Sequence, residues 1–179
     1  TLYNLKVWSS APNGGSDSLA FNDTLNIQFY PAMKGIYTLG GTSPDFSTFN
    51  LAVSALKRRG IIDSVHFKVR NGTYNEQFEI TQITGANRYN SILFESENKD
   101  SSLVILQFSS APGSLNHVVL LNGAIGVTFK KLTIKNNSST YRTVIRVLGS
   151  SKFIKLENNF FQNLDSTSSS SNSYLVYFN

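Results

Sequence analysis

The side chains able to do acid–base, metal or ionic chemistry are sparse in this 179-residue chain: 11 carboxylates, two histidines and 16 lysines and arginines, with no cysteine. The acids stand apart from one another, at Asp17, Asp23, Asp45, Asp63, Glu76, Glu79, Glu95, Glu97, Asp100, Glu157 and Asp165. Glu95 and Glu97 have the i, i+2 spacing that places two carboxylates on one face of a strand. A calcium site needs more oxygen ligands than this pair supplies, so the expectation is a solvated edge. His66 and His117 fall in different strands, too distant along a stacked structure to share a metal. There is no Ser–His–Asp arrangement and no phosphate loop, and Gly40-Gly41 reads as a turn. Without cysteine, disulfides and thiolate-held metals are unavailable to the fold. No catalytic residue, metal or cofactor is expected from these residues.

One charge asymmetry stands out. Lys130, Lys131, Lys135, Arg142, Arg146, Lys152 and Lys155 occupy residues 130 to 155 with no acid among them. If stacking aligned several of them, the strip would suit an anionic polysaccharide or cell-surface glycan; the plainer role is to keep a sheet face soluble. Tyr74, Tyr89, Tyr141, Tyr174 and Tyr177 could stack on sugar rings. The net charge of +5 is mild and does not call for nucleic acid as a partner. No apolar run approaches the roughly 20 residues that a membrane span needs.

The elements that must carry these groups follow from periodicity. Phe46, Phe49, Val53 and Leu56 form one stripe of a helix over 46–59. Ser43 and Pro44 suit its start, Asp45 its positive end, Lys57 to Arg59 its negative end, and Gly60 its stop. After Gly60 the period changes: Val65, Phe67 and Val69 alternate with polar residues as a strand, and Phe78 and Ile80 resume the alternation. Two interleaved strand series then recur at roughly 24 to 27 residues, a solenoid spacing. One contains 65–69, 92–94, 118–121, 144–147 and 175–178; the other contains 78–80, 103–106, 127–134 and 153–156. VTFKKLTIKN (127–136) can be laid over IKLENNFFQN (154–163). The serine-rich run Ser166–Ser173 reads as a protruding loop.

Short strands at this period suggest coils that pair edge to edge, with the helix covering the first coil. Asn136, Asn158, Asn159 and Asn163 sit where inward turns are expected. Upstream, residues 2–8 and 25–30 alternate as two strands joined by turn-prone residues, a pattern like the last hairpin of a β-sandwich, the plainer alternative being an N-terminal extension packed on the main body. Pro31 to Gly35 reads as a linker.

With these residues in view, DFSTFNLAVSALKRRG and VHFKVRNGTYNEQFEI, within 45–80, resemble the capping helix and first coil of the right-handed parallel β-helix superfamily that includes pectate lyases and pectin methylesterases. The opening KGIYTLGGTSPDFSTFNLAVSALKRRG resembles repeats of large secreted or surface proteins of Bacteroidetes-type bacteria. There, a sandwich domain ending in a motif like Pro12-Asn-Gly-Gly15 with Asn22-Asp23 often precedes the β-helix. The resemblance implies an all-β fold: a right-handed parallel β-helix over 35–179 with an N-terminal capping α-helix, preceded over 1–34 by the terminal β hairpin of a sandwich-like domain and a linker. It also implies where an esterase would carry its groups. The Gln expected at the start of the strand near Tyr141-Arg142-Thr143-Val144 is missing. Gln162 is followed by Asn163 where an acid is needed, with Asp165 displaced. The functional expectation is therefore a non-catalytic structural or adhesive module of a longer extracellular or cell-surface bacterial polypeptide, contacting carbohydrate. The alternative is the N-terminal fragment of a polysaccharide lyase or carbohydrate esterase whose catalytic coils lie beyond residue 179.

Overall fold

The computed structural model describes residues 2–9, 14, 24–163 and 173–179. Asp17, Asp23, Asp165 and all of the serine run but its last residue lie outside them. The chain divides into two compact units, Thr1–Ala32 and Met33–Asn179.

The first unit contains an antiparallel hairpin of β1 (Tyr3–Trp8) and β2 (Thr24–Phe29), paired from Tyr3↔Phe29 to Trp8↔Thr24. Because side chains alternate across a strand, this register puts Tyr3, Leu5, Val7, Leu25, Ile27 and Phe29 on one face and Asn4, Lys6, Asn26 and Gln28 on the other. The six apolar side chains are all exposed.

The second unit is a right-handed parallel β-helix. It opens with β3 (Met33–Leu39), followed by helix α1 (Phe49–Arg59). Four coils of three strands each come next: β4 (Ile61–Val69), β5 (Gly72–Asn75) and β6 (Phe78–Ile80); β7 (Ile92–Ser96), β8 (Val104–Phe108) and β9 (Val119–Asn122); β10 (Val127–Lys130), β11 (Thr133–Asn136) and β12 (Ile145–Leu148); β13 (Lys155–Glu157), β14 (Phe160–Asn163) and β15 (Val176–Phe178). Like strands stack into three parallel sheets, β13-β10-β7-β4-β3, β14-β11-β8-β5 and β15-β12-β9-β6. These are called the first, second and third faces below.

The two strand series read from the sequence are thus three sheets. Residues 65–69 and 92–94 belong to the first face, whereas 118–121, 144–147 and 175–178 belong to the third. The run 127–134 is two strands, parted at Lys131, which has φ 53° and turns the chain from β10 to β11. Strands of three to five residues separated by a single corner look continuous to a period-2 pattern. The overlay of 127–136 on 154–163, by contrast, is the register observed: Phe129 pairs with Leu156 and Ile134 with Phe161.

Inward residues build one continuous core. Phe67, Phe94 and Phe129 occupy equivalent positions of successive coils and stack at 4.7 and 5.3 Å between ring centroids. Asn136 is fully buried: its amide donates to Ser110 Oγ (2.7 Å) and to the Thr143 carbonyl (2.8 Å), which satisfies a corner no water reaches. Asn159 also serves a turn, accepting from Leu132 N and donating to the Phe129 carbonyl.

The helix starts later than its apolar stripe predicts. Thr48, not Ser43, is the N-cap, its hydroxyl accepting from Leu51 N at 3.1 Å. Asp45 does not meet the helix dipole; its carboxylate turns back to Thr38, accepting from the backbone N at 2.7 Å and the hydroxyl at 2.8 Å. These bonds, which hold the Asp45 pKa below the ordinary value, tie 43–46 to β3, and Phe46 bridges Leu39 there. The carboxylate at the helix start is Glu76, from the corner after β5: it accepts from Phe49 N (3.0 Å), Asn50 N (2.8 Å) and Asn50 Nδ2 (2.7 Å). Phe49, Ala52, Val53, Ala55 and Leu56 are buried, so the helix closes the open end of the coils as its stripe implies.

Candidate functional site

The third face carries two adjoining clefts, and a further one of about 380 Å³ lies by the cap between Gly40, Thr48, Asn71 and Glu76. The strands of the third face point Phe78, Ile80, Val119, Leu121, Ile145 and Val147 into the core, which leaves Glu79, Leu120, Arg146 and Tyr177 facing outward. The register aligns these four in one column, Glu79↔Leu120↔Arg146↔Tyr177, one residue from each coil. An acid, an aliphatic residue, a cation and an aromatic ring therefore follow one another along the helix axis.

The excursion between β8 and β9 forms a wall beside this column. It holds a short 3-10 turn at Gly113–Leu115 and is pinned from several sides. Gln77 Nε2 donates to the carbonyls of Leu115 (2.8 Å) and His117 (2.6 Å). Arg146 Nη1 donates to Gly113 O (3.3 Å) and Ser114 O (3.4 Å), and Asn116 Oδ1 accepts from Thr143 N (3.0 Å). Ser110 Oγ donates to the Tyr141 carbonyl. Two clefts result, and Arg146 lines both. One, of about 400 Å³, is lined by Asn116, Tyr141, Thr143, Tyr174 and Tyr177. The other, of about 570 Å³, is lined by Gln77, Glu79, His117, Leu120, Asn122 and Leu148, among others.

The electrostatics of the pair are uneven. Arg146 places its guanidinium 5.7 Å from the centre of the Tyr177 ring, and Tyr177 lies 5.1 Å from Tyr174. Glu79 accepts from Asn122 Nδ2 at 2.9 Å. His117 is buried, and its Nδ1 has no hydrogen-bond partner among the described residues. Burial, and then the positive charge of Arg146, push its pKa below the ordinary histidine value, so it is neutral at pH 7. Arg146 is therefore the cation shared by the two clefts.

The structure does not bring the seven cations of 130–155 into one strip. Lys130 and Lys155 lie on strands of the first face, Lys135 on the second and Arg146 on the third. Lys131 and Lys152 sit at corners, and Arg142 is buried with Nε donating to Ser173 Oγ at 2.8 Å. Lys130 is committed to Glu95, with Nζ 3.2 Å from Oε1. Glu95 is not a solvated edge: it is buried, and its Oε2 lies 3.3 Å from His66 Nε2 at ion-pair distance without hydrogen-bond geometry. Its supposed partner Glu97 points instead to Arg70 at 3.5 Å. Of the five tyrosines, Tyr141, Tyr174 and Tyr177 line one cleft together with Arg146, Tyr89 is exposed elsewhere, and Tyr74 is buried under the cap, its hydroxyl donating to the carbonyls of Leu39 and Arg70. Glu79, Gln77, Asn116 and Leu120 were missed in the sequence. Alternation marks Glu79 and Leu120 as outward residues, but the three-sheet register is needed to place them beside Arg146.

Among the described residues no three of His, Asp and Glu converge on a point that could hold a metal, and no helix is long and apolar enough to cross a membrane.

No family model matches the chain, and no curated protein matches it by sequence. Solved structures do match. A crystal structure of the pectin methylesterase from Aspergillus niger in penultimately deglycosylated form superposes with a TM-score of 0.57 at 16% identity, over 83% of this chain and 47% of that one. The deglycosylated form of the same enzyme gives 0.58 at 16% identity, over 82% and 46%. The chain thus spans about half the length of the structures it matches. What it shares with these pectin methylesterases is the fold, a right-handed parallel β-helix.

Proposed function

We propose that this chain is a non-catalytic structural and adhesive module of a larger secreted or cell-surface bacterial protein, and that it holds an anionic glycan on its third face. The observation that carries the reading is the Arg146 guanidinium over Tyr177, beside Tyr174 and Tyr141, on the wall shared by two clefts. A ring face can lie on tyrosine while a carboxylate or sulfate meets the arginine, a combination suited to charged sugars. Lys130, Lys131, Lys135, Arg142, Lys152 and Lys155 are spread over the coils, and in this reading they raise the encounter rate of polyanions rather than grip them. The surrounding polypeptide contributes the rest of the hairpin's domain. The 1–34 boundary read from the sequence moves to Ala32, because Met33 and Lys34 lie in β3 of the β-helix. Residues 1–32 serve as the last hairpin and linker of a preceding sandwich-like domain, whose opposite sheet covers the apolar face of Tyr3, Leu5, Val7, Leu25, Ile27 and Phe29.

The fold match to pectin methylesterases about twice this length favours one other reading, the N-terminal part of a polysaccharide lyase or carbohydrate esterase with its catalytic coils elsewhere in the polypeptide. Titration with carboxylated oligosaccharides tests the glycan reading. Arg146→Ala is expected to weaken binding at least about tenfold, and raising salt from 0.05 to about 0.5 M should weaken the parent strongly as the Debye length shrinks. Binding that ignores both changes, or no binding to any carboxylated glycan, overturns it. Methyl-ester or glycan cleavage by a longer polypeptide that includes this chain, and not by the 179 residues alone, would favour the enzymatic reading.

A further inference from the structure

The open edge of the second sheet runs along the cleft by the cap, and what it offers is independent of the glycan reading. β5 is the end strand of that sheet, paired on one side with β8. Along a strand, alternate residues turn their backbone groups to opposite sides. Glu76 N donates to Gln107 O at 3.0 Å and Asn75 stands opposite Gln107, so Thr73 and Asn75 turn their N–H and C=O groups away from β8. Those groups have no hydrogen-bond partner among the described residues. They border the cleft of about 380 Å³, whose lining runs unbroken from Asn71 to Glu76 and is completed by Gly40, Gly41, Ser47 and Thr48.

The neighbouring edges at this end are blunted, and β5 is not. β6 packs against α1. β3 has a register shift between Met33 and Gly35, a lysine at Lys34, and Thr38 bonded to Asp45 and Phe46. Bulges, lysines and covering elements are the usual protection of a sheet edge. β5, Gly72-Thr-Tyr-Asn75, carries no lysine, proline or bulge. We propose that β5 accepts an extended segment of a partner polypeptide as an added strand, bonded to the backbone groups of Thr73 and Asn75. The four residues of β5 offer about 13 Å of edge at about 3.3 Å per residue. The cleft selects small, uncharged side chains: Gly, Ser and Thr. Its facing wall is glycine and hydroxyl residues, and the one charged residue of its lining, Glu76, is committed to Phe49 N, Asn50 N and Asn50 Nδ2. A sugar is the poorer occupant. The one aromatic residue of the lining, Tyr74, is buried with its hydroxyl on the carbonyls of Leu39 and Arg70, so no ring face is free for stacking.

The test titrates the full 179-residue chain with a capped hexapeptide, acetyl-Gly-Thr-Ser-Thr-Ser-Gly-amide, up to about 5 mM, and follows the backbone amide NMR signals of Thr73 and Asn75. Both signals are expected to shift saturably and to gain protection from hydrogen exchange. An added strand turns only alternate amides to β5. N-methylation of one alternate set of peptide amides should therefore weaken binding at least about tenfold, equivalent to about 1.4 kcal/mol, while methylation of the other set changes it less than about threefold. Thr73→Pro removes one outward N–H without touching the bonds to β8, a position where an edge strand tolerates proline. It should weaken binding at least about fivefold at an unchanged urea midpoint. If that variant unfolds, the methylated peptides on the parent chain decide. No shift at Thr73 and Asn75, equal loss from both methylated sets, or a folded Thr73→Pro that binds as the parent does overturns the proposal and leaves the glycan reading of the third face standing. Cellohexaose producing the same saturable shifts overturns it as well and assigns the cleft to a sugar.

Discussion

Truncating Phe49 to alanine tests whether the helix is the cap on which the coils depend. The side chain is fully buried, and its ring lies 5.2 Å from Tyr74, 5.4 Å from Phe78 and 5.6 Å from Phe94, so it joins the cap to the first and second coils. Phe→Ala in a close-packed core costs about 3–5 kcal/mol, from lost transfer energy and the residual cavity. Three ring pairs, each contributing about 0.5–1.5 kcal/mol beyond buried area, place Phe49 toward the upper half of that range. A loss near 4 kcal/mol is a large share of the roughly 5–15 kcal/mol that holds an ordinary domain. With a urea slope of about 2 kcal/mol/M, the midpoint should fall by about 2 M. Far-UV circular dichroism is the appropriate probe, because the single tryptophan, Trp8, belongs to the other unit. Leu51→Ala supplies the control: Leu51 is on the same helix but 53% exposed, and should cost no more than about 0.5 kcal/mol. A Phe49→Ala loss below about 1 kcal/mol, or a Leu51→Ala loss of equal size, would refute the capping argument.

Two further outcomes are expected. Glu76→Ala removes the carboxylate that accepts from Phe49 N, Asn50 N and Asn50 Nδ2, and should cost about 1–2 kcal/mol in the same urea titration, with Glu76→Gln recovering part of it. Burial pushes both His66 and His117 below the ordinary value near 6.5, so the unfolded chain takes up protons that the folded chain refuses. Stability should then be level above about pH 7.5 and fall as the pH drops through 6.5. His117→Gln should flatten that slope, and a stability that rises on acidification contradicts the assignment.

Local patterns carried much of the architecture. The apolar stripe through Phe49, Val53 and Leu56 and the stop at Gly60 depend on residues within a turn or two of each other, so they were legible. The same holds for the alternation of Val65, Phe67 and Val69 and for the match of 127–136 to 154–163, which is the actual coil-to-coil register. Each feature is set by the order of residues close together in the chain or by a direct coil-to-coil match, and the linear sequence is enough to see it.

What depended on distant residues was not legible. Glu76 takes the helix end that Asp45 was expected to hold, because the corner after β5 folds beneath α1 while Thr38 captures Asp45. The cations of 130–155 looked like one strip, yet corners at Lys131 and between β11 and β12 send them to three faces. Glu95 looked solvated until His66 and Lys130 closed over it. The column Glu79, Leu120, Arg146 and Tyr177 draws one residue from each of four coils, at separations of 41, 26 and 31 residues that vary because the connections between strands differ in length, eleven residues between β6 and β7 against four between β9 and β10. Periodicity states which residues face out. Where the corners fall sets which outward residues become neighbours, and that is decided when the coils pair edge to edge around the buried rings of Phe67, Phe94 and Phe129.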